Sequence, residues 1–388
     1  MISNYNAPFG IYIHWPFCAS KCPYCDFNSH VREKIDHDVW RHAFRAEIER
    51  YAAETGHRRV TSIFFGGGTP SLMEPETLAD IIENIKNYWP VAQNVEVTME
   101  ANPSSTEAKN FETCRSAGVN RLSLGVQSLS DDSLKFLGRQ HSALEAIDAL
   151  ETAAQIFKLF SIDLMYGLPG QTLEGWDNEL NNALDLCENH ISVYQLTIEP
   201  GTVFYREKVP EVNEGLSNQL YRRTQEILNL AGLPAYEISN HARPGYECAH
   251  NLLYWRGEDY LGLGPGAHGR LTKKSEGGFF ETEAIQEFRN PEKWLDSIRT
   301  DGKGTQKRYT LAFQERLEEL ILFGLRVSEG VDVERFYRLT GRRLFDHLKE
   351  EKLDMLVKGG FLIGSRSKLR LTESGLRRLN SIARALLV

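Results

Sequence analysis

The chain of 388 residues contains no run of about 18 apolar residues, the length that spans a bilayer. Its opening, MISNYNAPFGIYIHW, lacks the basic stretch and small-residue cleavage site of a secretory signal. Both absences point to a cytoplasmic address, where thiols stay reduced. Cysteine is scarce, six residues in all, so ligands or packed thiols are expected in place of a disulfide framework. No low-complexity tract and no repeat at a solenoid period is present. Positive charge is also short, with 45 Lys and Arg against 53 Asp and Glu. The deficit is uneven: residues 303–388 hold 18 Lys and Arg against 11 Asp and Glu, a local charge of +7, which leaves about −15 for the first 302 residues. The main body is therefore a poor match for bulk nucleic-acid binding. What remains is an ordinary globular composition, 41% hydrophobic and 25% charged, at a length that suits two to three domains.

Short β-branched and aromatic runs alternate with amphipathic stretches. Strands are expected at Gly10–Trp15, Thr61–Phe65, Val95–Glu100, Arg121–Gln127, Ser161–Tyr166 and Ser192–Ile198. Between them lie helical patterns such as Asp36–Glu54, Pro75–Tyr88, Ala143–Phe157 and Leu173–Glu188, long enough for right-handed crossovers. Six βα units in series close partly or fully into a barrel, or open into a doubly wound sheet, and both gather ligands at the carboxyl ends of the strands. Chemistry-bearing residues fall at those ends: Cys18, Cys22 and Cys25 after the first strand, Gly66-Gly67-Gly68-Thr69-Pro70 after the second, Glu100 at the third, Gln127 at the fourth and Asp163 in the fifth. Further on, residues 257–269 (GEDYLGLGPGAHG) read as a glycine-rich loop. A new unit starts near residue 305 with helices at Leu311–Leu325, Val333–Leu339 and Arg343–Lys358, a hairpin at Phe361–Leu371 and a last helix at Glu373–Leu386, in winged-helix order. The expected division is therefore residues 1–240, 241–304 and 305–388.

Three thiolates spaced C-x3-C-x2-C on one loop can each hold one iron of a cubane cluster and leave the fourth iron open. A structural zinc site wants a fourth ligand, and no second CxxC pair exists to supply it. The glycine triplet suits close backbone approach by a ligand with an ammonium and a carboxylate. Glu100, Gln127 and Asp163 offer acceptors for an ammonium or for ribose hydroxyls, and Arg139 offers a partner for a carboxylate.

The segment IYIHWPFCASKCPYC (residues 11–25) closely resembles the radical S-adenosylmethionine (SAM) superfamily. That resemblance implies a partial (β/α)6 barrel, a [4Fe–4S] cluster on Cys18, Cys22 and Cys25, and SAM on the open iron, cleaved reductively to methionine and a 5′-deoxyadenosyl radical. It also places Tyr24 near the adenine. The motifs EANP (100–103), RLSLGVQS (121–128), IDLMYGLPGQT (162–172) and YEISNHARPGYECAHNLLYW (236–255) are similar to the group that holds oxygen-independent coproporphyrinogen III dehydrogenase and its haem-chaperone relatives, HemW. By position in those motifs the expected SAM contacts are Tyr12, Gly67, Gly68, Thr69, Glu100, Gln127, Arg139 and Asp163.

Two departures favour the chaperone branch of that group. The dehydrogenase motif continues to a fourth cysteine, where this chain has Phe27, and only 17 residues precede Cys18. The chain carries instead His250-Asn251-Leu252-Leu253-Tyr254-Trp255, the HNxxYW motif of the chaperone branch. On the residues alone His250 reads as a satisfied histidine beside core aromatics. The resemblance makes it an axial haem ligand, with Tyr254 and Trp255 as flat surface for the macrocycle and Cys248 as the alternative ligand. Cys114 and Cys187 sit in helical patterns and are expected to be buried.

The expectation is thus an α/β radical SAM partial barrel with a C-terminal α+β winged-helix-like domain. It binds a [4Fe–4S] cluster, SAM and haem, and delivers haem to apo-haemoproteins such as respiratory enzymes, with a reductant for the cluster and no nucleic-acid partner. Porphyrinogen dehydrogenation is the alternative activity.

Overall fold

The computed structural model describes residues 7–187, 189–274, 280–365 and 367–387; the first six residues of the opening segment lie outside them. Six parallel strands come first: β1 (Phe9–Trp15), β2 (Val60–Gly67), β3 (Val91–Ala101), β4 (Arg121–Gln127), β5 (Leu159–Tyr166) and β6 (His190–Gln195). They pair in chain order, as expected of a βα series. In β1 the period of two is plain: Phe9, Ile11, Ile13 and Trp15 are wholly buried in the main core, while Gly10, Tyr12 and His14 take the other face. The crossover helices His37–Thr55, Ala143–Ile156 and Leu173–Leu186 start on Asp36, Ser142 and Thr172, whose side chains accept N–H groups of the first turn.

The sheet extends beyond the six expected strands. It takes in β7 (Asn240–Ala242), β8 (Asp259–Leu263), β9 (His268–Lys274), β10 (Phe280–Glu287) and β11 (Thr305–Thr310), in the order β11-β10-β9-β8-β1-β2-β3-β4-β5-β6-β7. The segment 257–269, expected as a loop, therefore holds a strand parallel to β1, from Phe9 opposite Asp259 to Ile13 opposite Leu263. Its glycines mask the signal, but buried Leu261 and Leu263 supply the packing, and Asp259 is fixed by buried Arg58 at 2.8 Å and by Thr272. Strand β11 also belongs to this sheet, so the second core begins with the helix that follows it.

That second core, around Leu317, Ile321, Leu325, Phe336, Leu344 and Leu369, is built from helices Phe313–Arg326, Val333–Thr340, Glu350–Lys358 and Leu379–Leu387 on a three-stranded sheet. The order is winged-helix-like. Two expected helices are broken: the stretch 343–358 opens with a 3-10 turn at Leu344–His347, and 373–386 divides into Glu373–Leu376 and Leu379–Leu387. No helix among the described residues is long and apolar enough to cross a membrane.

Candidate functional site

At the carboxyl ends of β1 to β6 lies a cavity of about 390 Å³. Cys18, Cys22, Tyr24, Cys25, Gly67, Gly68, Thr69, Glu100, Gln127, Arg139 and Asp163 all line it. Tyr12 does not, sitting lower on β1 with its hydroxyl 3.1 Å from His14 Nδ1 and its ring 6.1 Å from that of Phe64.

The cysteine loop is held at several points. Cys25 N–H donates to the Cys22 carbonyl at 3.1 Å, Thr69 Oγ1 donates to Cys18 Sγ at 3.4 Å, and Arg139 Nη1 donates to Cys22 Sγ at 3.4 Å. Among the described residues no three ligating side chains close on a single ion, whereas the three cysteines face one cavity. A cubane takes one cysteine per iron, so three separate sulfurs around a common space is the arrangement it requires. Burial raises the free thiols of Cys18 and Cys25 above their ordinary range, a bias that metal coordination reverses.

The glycine triplet works differently from the sequence reading. Gly67 has φ of 112°, and a Cβ there would sit within 2.6 Å of the His14 ring; one on Gly68 would meet the Phe17 carbonyl oxygen at 2.5 Å. These glycines are demanded by packing against the strand below the cysteines. Their N–H groups are also committed: Gly67 to Glu100 Oε2 at 3.2 Å, Gly68 to the Trp15 carbonyl, and Thr69 to the Phe17 carbonyl. A ligand carboxylate finds no donor in these three.

The carboxylates keep their expected place. Ser123 Oγ donates to Asp163 Oδ2 at 2.8 Å and Ser161 Oγ to Oδ1 at 3.3 Å. Burial pushes Asp163 up to about 6 against the hydrogen bonds it accepts, and pushes Glu100 up to about 7 with help from the Asp163 charge. Two carboxyls so poised gain from a cation between them. Gln127 holds a left-handed φ of 68°, and its Oε1 is buried without a protein partner, an acceptor aimed at the cavity that calls for a ligand donor. Arg139 is less free than expected, because Nη2 also donates to Asn102 Oδ1 at 2.6 Å and the Gly125 carbonyl at 2.8 Å. On these observations the residues fit a cluster and a cationic nucleoside ligand.

Asn102, Ser123, Ser161 and Tyr194 were missed by sequence reasoning. Period two would have found two of them: Ser161 is two before Asp163, and Ser123 four before Gln127.

His250 is elsewhere. It is 0% exposed, packed against Gly10 at the amino end of the strands, with Nδ1 2.8 Å from Ser62 Oγ and Nε2 2.9 Å from Tyr254 Oη. Its ring stacks on Phe64 at 5.2 Å, and burial lowers it to about 3. Both nitrogens being taken, no lone pair faces a ligand in this conformation. Tyr254 packs edge-on to Tyr260 at 4.5 Å, and Trp255 packs edge-on to Phe323 and under Arg326. The short helix Ala249–Trp255 is a plug in the barrel base, its first N–H groups held by Glu96, which is itself paired with buried Arg121 at 2.9 Å. Cys248, buried, donates to the same Glu96, and Cys114 and Cys187 are buried as expected.

The chain is similar to known proteins over nearly its whole length. Residues 12–182 match the model of the radical SAM superfamily, and 311–378 that of the HemN C-terminal domain. The chain is 37% identical over 379 residues to the heme chaperone HemW of Escherichia coli (strain K12), covering 97% of each chain. It is 38% identical over 386 residues to the mitochondrial radical S-adenosyl methionine domain-containing protein 1 of Bos taurus, covering 97% of this chain and 87% of that one. Among solved structures, E. coli coproporphyrinogen III oxidase (HemN), a radical SAM enzyme, superposes with a TM-score of 0.82 at 20% identity, over 98% of this chain and 90% of that one, a likeness of fold.

Proposed function

Because the chain belongs to the HemW family of the radical SAM superfamily, we propose that it is a cytoplasmic haem chaperone: it carries a [4Fe–4S] cluster and SAM in the cavity above the strands, binds haem, and passes it to apo-haemoproteins such as respiratory enzymes. Cys18, Cys22 and Cys25 would hold the cluster. Glu100, Gln127 and Asp163 would take the ammonium and hydroxyl donors of SAM, and Tyr24, at the cavity edge beside Phe204 at 6.3 Å, the adenine. The cluster, when bound and reduced by an external donor, supplies one electron for SAM chemistry. The protein's own part is to keep the sulfurs spread around one space, to hold two carboxyls against a cation, and to bury both from water.

The observation that carries this reading over porphyrinogen dehydrogenation is Phe27. It stands where the dehydrogenase motif has its fourth cysteine, lines the cavity mouth, and is 61% exposed. The test runs two assays on anaerobically reconstituted protein: haem uptake followed by transfer to an apo-haemoprotein, and conversion of coproporphyrinogen III with SAM and a reductant. Haem transfer without decarboxylation is expected; decarboxylation at an enzymatic rate overturns the reading.

A further inference from the structure

Two carboxyls outside the cavity are buried together. Glu47, on the helix His37–Thr55, and Glu287, at the end of β10, are both 0% exposed. Glu47 accepts on each oxygen, from Trp294 Nε1 at 3.1 Å on Oε1 and from the Gly264 N–H at 2.8 Å on Oε2. Glu287 accepts on Oε1 alone, from Tyr51 Oη at 2.5 Å and Thr305 Oγ1 at 3.2 Å. Its Oε2 is buried with no donor among the described residues, and its carboxyl is within hydrogen-bonding reach of Glu47.

Two carboxyl groups bond to each other only through a proton, and the surrounding donors assign it. Glu47, with both oxygens accepting, is the anion. Glu287, with one oxygen free of donors, carries the proton on Oε2 and donates it to Glu47. Burial favours this state: it holds both carboxyls above their ordinary range and leaves one charge in place of two. The other titratable groups that face the pair are Arg50 and Tyr51, both on the helix of Glu47. Arg50 Nη2 donates to Thr305 Oγ1 at 2.9 Å, with the guanidinium over the Tyr51 ring. Gly264, Trp294 and Thr305, which meet the pair from the other elements, carry no charge.

The pair grips the turn Gly264–Ala267 between β8 and β9. Besides the bond from Gly264 to Glu47, the Glu287 N–H donates to the Ala267 carbonyl and the Gly266 N–H to the Phe288 carbonyl, each at 2.9 Å. On its other side the turn meets Asn28, three residues past Cys25. The Pro265 carbonyl accepts from the Asn28 amide, and a Cβ on Gly266 would stand 2.5 Å from that same nitrogen. The carboxyl pair and the cysteine loop thus hold opposite sides of one turn.

We infer that the proton shared by Glu47 and Glu287 positions the cysteine loop: while it is bound, the turn is gripped and the loop is held for the cluster, and on its loss two adjacent buried anions repel, Gly264 is released and the cluster is held less firmly. This rests on the cluster-binding reading above. The direction with pH follows from burial. Above the ordinary carboxylate range the folded chain keeps a proton that the unfolded chain has released, so the grip is complete in acid and is lost as pH rises through the pair's raised range.

The test combines hydrogen exchange of the Gly264 amide in the full-length apoprotein, corrected for intrinsic exchange, with chelator bleaching of the reconstituted protein. Both run from about pH 6 to about pH 9 on the wild type, Glu287→Gln and Glu47→Gln. Wild-type protection should fall about tenfold or more across that range, and bleaching should quicken several-fold. Glu287→Gln keeps every bond, its amide N–H standing in for the proton, and does not ionise, so the slope should disappear from both measurements. Glu47→Gln turns an amide N–H toward the Trp294 or the Gly264 donor, and protection should be low at every pH. A flat wild-type profile, or the wild-type slope persisting in Glu287→Gln, overturns the shared proton. Protection that responds to pH while bleaching does not overturns the link to the cysteine loop. A wild type that takes up no iron sinks the functional reading, while exchange in its apoprotein still decides whether the proton grips the turn.

Discussion

The side-chain amide of Asn28 donates to the Pro265 carbonyl at 2.9 Å, joining the cysteine loop to a segment 237 positions away. The same nitrogen donates to the Arg289 carbonyl at 2.9 Å, and the Asn28 carbonyl lies 2.9 Å from His14 Nε2 on β1. Three residues past Cys25, then, the chain is fastened to three separate elements. Asn28→Ala removes two of these ties, each worth about 0.5–1.5 kcal/mol. The expected result is a folded protein whose cluster bleaches several-fold faster under a chelator. An unchanged bleaching rate would show that the sulfurs are held without this fastening.

Replacing Cys18, Cys22 and Cys25 together by alanine should abolish a cluster that the wild type holds at about four irons and four sulfides per chain after anaerobic reconstitution. Iron and sulfide assays with the visible absorption spectrum decide it. Stoichiometric zinc in the wild type would contradict the assignment.

Glu100 and Asp163 make stability fall as pH rises. Both are raised in the fold, to about 7 and about 6, so between the ordinary carboxylate range near 4 and those values the folded chain holds protons that the unfolded chain has released. The apoprotein should therefore be less stable at pH 8 than at pH 5 by on the order of a few kcal/mol from this pair. The double variant Glu100→Gln, Asp163→Asn should flatten that slope in thermal denaturation. Affinity for SAM should show the opposite trend, rising through pH 6 to 7 as the pair ionises, with the cluster spectrum unchanged in either single variant. A cluster lost together with SAM affinity would mean that these carboxyls support the cysteine loop.

His250→Ala should behave as a core lesion. It strips partners from Ser62 Oγ and Tyr254 Oη and opens a space beside Phe64, a loss of about 2–4 kcal/mol. Urea denaturation measures it. A variant as stable as the wild type would show that the plug in the barrel base is dispensable.

Much of the site was legible because chemistry and topology coincide. Cys18, Gly67, Glu100 and Gln127 each follow or end a strand-forming run and Asp163 lies within one, and parallel pairing in chain order brings them to one rim. Two kinds of feature were hidden. Strand β8 was obscured by its glycines, because its stability comes from pairing with β1, which sits about 250 residues earlier. On the residues alone His250 reads as a satisfied core histidine, the setting the fold gives it, and the axial-ligand role came only with the resemblance. A histidine next to Tyr and Trp has the same composition whether it faces a ligand or a core, and only Ser62, from a distant strand, shows that its second nitrogen is taken. The glycine triplet was located correctly, yet its demand for glycine comes from His14 and Phe17.

The helix Ala249–Trp255 in the barrel base makes the cavity a cul-de-sac. With His250, Tyr254 and Phe64 packed across the amino end of the strands, traffic passes by the rim where Phe27 stands. On the proposed function, departure would therefore retrace entry: a cluster would be seated before the nucleoside covered it, and anything docked across Phe27 would hold the contents of the cavity in place.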